Sequence, residues 1–172
     1  MDLRIERTRR NIINAFLQLR AKKPIEKITV TELAETAVIN KATFYLHYKD
    51  IYDLSDRLED EVLAKALAAV PTDALLQMGG TIQLAEALAA QGTLFSTLFS
   101  GSRADVAVHK LDRAIKERVF ALRPEWREDL AVNVKLTALI YGGFHAYFRY
   151  QREDFDTVIS ALNDFSSGVT MG

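Results

Sequence analysis

Residues 28–52 read ITVTELAETAVINKATFYLHYKDIY, and the parsing of this stretch decides the architecture. Thr29 stands three residues before Glu32, the spacing of a capping box, in which each side chain satisfies a free backbone N–H of the other's turn. It predicts a short helix from Val30 to about Ala37. Asn40 is a strong N-cap residue and predicts a second short helix from Lys41 to about Tyr48. Asp50 caps a third and longer one, Ile51 to about Ala69, whose Ile51, Leu54, Leu58, Val62 and Ala66 recur at helical spacing.

Two short capped helices joined by a turn of about three residues have the geometry of a helix-turn-helix. The crossing of such helices needs a small residue, and Ala34 supplies it. Leu33, Ile39 and Phe44 are spaced to meet in one small core. The outer face of the second helix is expected to be polar, from Lys41, Thr43 and His47 with Tyr45 beside them. Its first turn, at Asn40, points backbone N–H groups outward, which favours phosphate. Helices this short are not stable alone. The preceding helix, about Arg4 to Lys22 and stopped by Pro24, offers Ile12, Ile13 and Phe16 to complete the core.

Charge agrees with that division. Residues 1–50 carry a net charge of +4 and residues 51–172 carry −5. A basic head on an acidic body points to a polyanionic partner for the head. Composition bounds the rest. At 172 residues, 49% of them hydrophobic, the chain can bury a substantial core. It has no cysteine, which excludes disulfides and thiolate metal sites. Its N-terminus is charged rather than apolar, and no apolar run approaches the roughly 18 residues of a membrane span. A cytoplasmic protein is the expectation, with no membrane partner.

Helical periodicity continues to the C-terminus, so the expected fold class is all-α. Pro71 and Gly79-Gly80 mark a connector, with a short helix between them. Further helices are expected from Ile82, with a break at Gly92, from Arg103 to Leu122, from about Glu125 to Gln151, and from Phe155 to Ser167. The domains expected are residues 1–50 and 51–172. His47, His109 and His145 lie on three different helices with no second histidine one turn away, so no metal, cofactor or catalytic set is expected.

The quoted stretch resembles the TetR family of bacterial transcriptional regulators. The resemblance rests on Thr29-Val30-Thr31-Glu32-Leu33-Ala34 and on Lys41-Ala42-Thr43-Phe44-Tyr45-Leu46-His47-Tyr48-Lys49-Asp50, and covers about residues 8–62. One position departs from it: Val38 stands where the family usually has glycine, and a β-branched residue does not suit the left-handed backbone expected there.

The resemblance implies a homodimer that binds double-stranded DNA and responds to a small effector, usually as a repressor. It implies DNA contacts from Thr29, Thr31, Asn40, Lys41, Ala42, Thr43, Tyr45, His47 and Lys49. Lys41 is the candidate for guanine edges, Ala42 for a thymine methyl, and Lys49 for a phosphate. It also implies an effector pocket, for which Phe95, Phe99, His109, Phe120, Trp126, Tyr141 and His145 are candidates. The last two helices are expected to pair between subunits through Gly142, Gly143, Tyr147, Phe155, Ile159 and Leu162. A coregulator that keeps the fold but acts through a protein partner is the competing expectation.

Overall fold

The computed structural model describes residues 3–76, 79–150 and 153–169, without the side chains at 76, 79, 81, 82 and 155. All regular structure in these residues is helical. The helices are α1 (Leu3–Arg20), α2 (Val30–Thr36), α3 (Lys41–His47), α4 (Ile51–Ala68), α5 (Gly79–Ala89), α6 (Gly92–Leu98), α7 (Arg103–Leu122), α8 (Leu130–Tyr150) and α9 (Phe155–Ser167). None is long and apolar enough to cross a membrane.

Two boundaries differ from the sequence expectation, each for a local reason. The α8 helix begins at Leu130 rather than near Glu125. Pro124 opens a separate 3-10 turn, Pro124–Trp126, and Asp129 then caps α8 by accepting from the N–H groups of Ala131 at 2.9 Å and Val132 at 3.1 Å. The α5 helix begins at Gly79 rather than Ile82. Glycine is required there by a close approach: a Cβ on Gly80 would stand 2.1 Å from the carbonyl oxygen of Ala74, in the connecting 3-10 turn. The connector itself holds that turn, Ala74–Leu76, rather than a longer helix; Gln77 and Met78 lie outside the described residues.

The chain forms two compact units, and the division falls inside α4 rather than at residue 50. The first unit comprises Met1–Glu61 and, from further along the chain, Thr93–Arg103. Its core joins Ile12 and Phe16 of α1, Leu33 and Ala34 of α2, Phe44 of α3 and Leu54 of α4. Sequence reasoning assigned 93–103 to the body. Polar bonds explain its place in the first unit. The buried Arg20 donates through Nη2 to the carbonyls of Thr97 (3.2 Å), Leu98 (3.3 Å) and Ser100 (3.3 Å) and to Ser100 Oγ (3.0 Å). A guanidinium is well suited to the unsatisfied carbonyls that end a helix such as α6. Arg103 in turn forks onto the fully buried Glu59, with Nε to Oε1 at 2.7 Å and Nη2 to Oε2, and also reaches Asp56. Ser55 donates to the same Glu59 carboxylate at 2.8 Å.

The second unit comprises Val62–Gly92 and Ala104–Gly172. Within it α9 packs on α5 and on α8. Leu84 and Leu88 of α5, Val108, Leu111 and Val119 of α7, and Leu136 and Phe144 of α8 form its core. Arg118 of α7 fastens the end of α4 by donating to the carbonyl of Leu67.

Candidate nucleic-acid interface

The candidate surface is built from the α2–α3 pair. At its start Thr29 Oγ1 accepts from the N–H of Glu32 at 3.2 Å, as an N-cap should. The reciprocal half of the expected capping box is not made. The Glu32 carboxylate turns to Lys23 Nζ instead, tying α2 to the segment that follows α1.

The α2 helix ends in a Schellman motif. The N–H of Ile39 donates to the carbonyl of Ala34 at 3.0 Å, and that of Val38 to Glu35 at 3.2 Å. The motif requires a left-handed residue, and Val38 takes it with φ +55°. This is the position where glycine is expected from the resemblance noted in the sequence. Holding a non-glycine residue there costs about 1–2 kcal/mol. Val38 gains no burial in return, being 88% exposed.

Asn40 then caps α3. Its backbone is extended, and Oδ1 accepts from the N–H of Ala42 at 3.0 Å. Phe44, fully buried, roots the helix in the core, with the rings of Tyr45 and Tyr48 at 5.5 and 5.8 Å. The junction to α4 is a reciprocal cap. Asp50 Oδ1 accepts from the N–H of Asp53 at 2.8 Å, and Asp53 Oδ2 accepts from the N–H of Lys49 at 2.9 Å. That backbone bond, assisted by the Arg57 guanidinium, holds the Asp53 carboxyl below the usual carboxylate range.

Rooting α3 at Phe44 fixes which side faces out. At about 100° per residue, Leu46 and Ala42 lie nearly opposite Phe44, one on either side of that direction, and Tyr45 lies next to Ala42. The burial pattern agrees: Lys41, Ala42, Tyr45 and Leu46 are exposed, Leu46 to 85%, while Thr43 and His47 are half-buried on the flank. The outward centre of α3 is therefore Ala42, Tyr45 and Leu46, not the polar set Lys41, Thr43 and His47. Leu46 is the residue that sequence reasoning missed. Its signal was available, because assigning Phe44 to the core places Leu46 outside. Thr29, Thr31, Asn40 and Lys49 are exposed. Arg9 pairs with Glu61, whereas Arg7 and Arg10 are exposed.

The effector candidates do not converge. Phe95 and Phe99 are buried together in the first unit, with ring centroids 4.7 Å apart. In the second unit Tyr141 Oη and His109 Nδ1 are 2.6 Å apart. Phe120 lies under the guanidinium of Arg127, Trp126 under that of Arg123, and His145 is exposed beside Phe144. None of these seven lines a cavity of about 100 Å³ that lies among α5, α7, α8 and α9 of the second unit. Gly143, Tyr147 and Leu162, expected at a subunit interface, line it instead, with Leu111, Leu136 and Phe144. Burial pushes the Tyr147 phenol above its ordinary pKa. Tyr147 and Ile159 are buried within the unit and so have no surface to offer a second chain.

Gly142 is exposed, and a Cβ there would meet nothing within 4 Å. It continues a line of exposed residues on α8, the small Ala131 and Ala138 with the larger Val134 between them. The Phe155 side chain lies outside the described residues. Among the described residues no group of His, Asp and Glu side chains is placed to hold a metal ion. Compared with protein-family models and with solved structures, the chain matches none of them.

Proposed function

We propose that the chain is a DNA-binding transcriptional regulator of the TetR type, with α2 and α3 as a helix-turn-helix and α3 as its recognition helix. The observation that carries this reading is the outward face of α3. It is a short helix rooted by one buried aromatic, Phe44, with an exposed lysine at each end, Lys41 and Lys49. Such a helix fits the major groove, where Lys49 meets phosphate and Lys41 and the central side chains meet base edges. The net charge of +4 on residues 1–50 supplies the long-range attraction.

The exposed line Ala131, Val134, Ala138 and Gly142 on α8 supports a homodimer, since small residues let a second helix approach closely. Two-fold symmetry then places two recognition helices about 34–36 Å apart, one turn of DNA, on a near-palindromic site. The cavity in the second unit supports response to a small effector, most simply as a repressor released by ligand.

The test is selection of duplexes from a random-sequence library, followed by binding at several salt concentrations. A regulator enriches one motif, and its affinity falls steeply with salt. Lys49→Ala should weaken all sequences alike and flatten the salt slope. Lys41→Ala should cost about 1–3 kcal/mol on its own base pair and relax preference there. No enrichment, with binding indifferent to both substitutions, overturns the reading. A second reading is a coregulator that docks on protein, favoured by one observation: Val38 and Leu46, within the motif, are apolar and exposed. Binding to DNA only in the presence of a partner would support it.

A further inference from the structure

Among the described residues, the two most exposed large apolar side chains in the protein are Val38 at 88% and Leu46 at 85%, eight positions apart in the α2–α3 segment. Isolated exposed leucines are ordinary. This one is not isolated: Ala42 and Tyr45 adjoin it on the same exposed face, and Tyr45 is 57% exposed. At the centre of that face the Tyr45 hydroxyl is the hydrogen-bonding group, and Ala42 and Leu46 beside it are apolar. Thr43 and His47 are turned half into the protein, and Lys41 stands at the N-terminal end of the helix.

In the major groove the base edges present hydrogen-bond donors and acceptors and one apolar group, the C5 methyl of thymine. An aliphatic side chain at the centre of a reading helix matches only that group. The exposed lysines at both ends favour a polyanion over an apolar protein groove as the occupant of this face.

We infer that Leu46 is a specificity-determining residue that selects thymine by apolar contact with its methyl group. The inference rests on the reading of α3 as a recognition helix. It assigns one thymine of each half-site to Leu46, beside the base pair that Lys41 reads, and leaves Lys49 to phosphate contact. Because Leu46 touches so little of its own chain, replacing it leaves the fold intact.

The experiment uses the full chain and the duplex motif that it selects from a random library. Each thymine of the motif is replaced in turn by deoxyuridine, which keeps every hydrogen-bonding group and removes only the methyl. At one symmetric thymine pair the wild-type protein should lose about fourfold in affinity per half-site, the worth of one buried methyl group. Leu46→Ser should bind the thymine and deoxyuridine duplexes equally, while its response to salt stays that of the wild type. Equal binding of both duplexes by the wild type, or discrimination that survives in Leu46→Ser, overturns the inference and leaves DNA recognition standing. Failure of the wild type to enrich any motif overturns the recognition reading and this inference with it.

Discussion

At Val38 a β-branched side chain occupies a backbone conformation that suits glycine, at φ +55° and almost fully in solvent. The strain follows from the Schellman motif that ends α2, because the bonds of Ile39 and Val38 to Ala34 and Glu35 cannot form otherwise. Val38→Gly removes about 1–2 kcal/mol of strain and gives back part of it as unfolded-chain entropy, since glycine is the more flexible residue. The expected net gain is about 0.5–1 kcal/mol, or a rise of roughly 1–4 °C in Tm. A thermal melt of the two proteins checks it, and a lower Tm for the variant would remove the strain argument. This position was legible from sequence, since glycine's absence at a left-handed turn can be noticed without coordinates. Leu46 was legible only indirectly. Polar residues draw attention as DNA contacts, whereas the geometry of α3 is set by the one residue that is buried.

At the scale of elements, caps and breakers carried most of the information. Thr29, Asn40, Asp50, Pro24 and Pro124 each act where a helix starts or stops. The reciprocal cap between α3 and α4 has a pH signature. Asp53 has its pKa lowered in the folded protein, so its contribution to stability is present above the unfolded-state value near about pH 4 and is lost as pH falls through the folded value. Urea melts of Asp53→Asn against wild type should therefore differ at pH 7 and converge once pH falls below the lowered folded-state value. A gap that stays constant over that range would mean that the carboxylate form is not what matters. The Glu32 partner was not legible. A capping box and a salt bridge to Lys23 compete for the same carboxylate, and only the placement of the α1–α2 link decides between them.

For the whole molecule, the sequence reading divided head from body by position in the chain, and packing does not respect that order. Residues 93–103 join the first unit through Arg20, Arg103 and Glu59, and no periodicity or motif announces a pairing between residues 44 positions apart. Glu59→Ala leaves the buried Arg103 with only the half-exposed Asp56, and should cost about 3 kcal/mol. Replacing Glu59 and Arg103 together with methionine should recover much of that in a denaturant titration, because neither charge is then stranded.

Gly142→Ala separates monomer from assembly. In an isolated chain the added Cβ meets nothing, and helix propensity alone gives a gain of about 1 kcal/mol. At a close helix–helix contact between subunits it weakens self-association instead, measurable by sedimentation.

The grip of Arg20 on the end of α6 has a consequence for how the protein is made. Its acceptor carbonyls belong to residues translated some eighty positions later. A nascent chain whose emerged portion stops before residue 93 holds α1 to α4 with Nη2 of that guanidinium still hydrated, its partners at the end of α6 inside the ribosome or not yet synthesised. Stalled chains released at residue 70 and at residue 110 should therefore differ sharply in protease resistance within α1, the shorter one being cut.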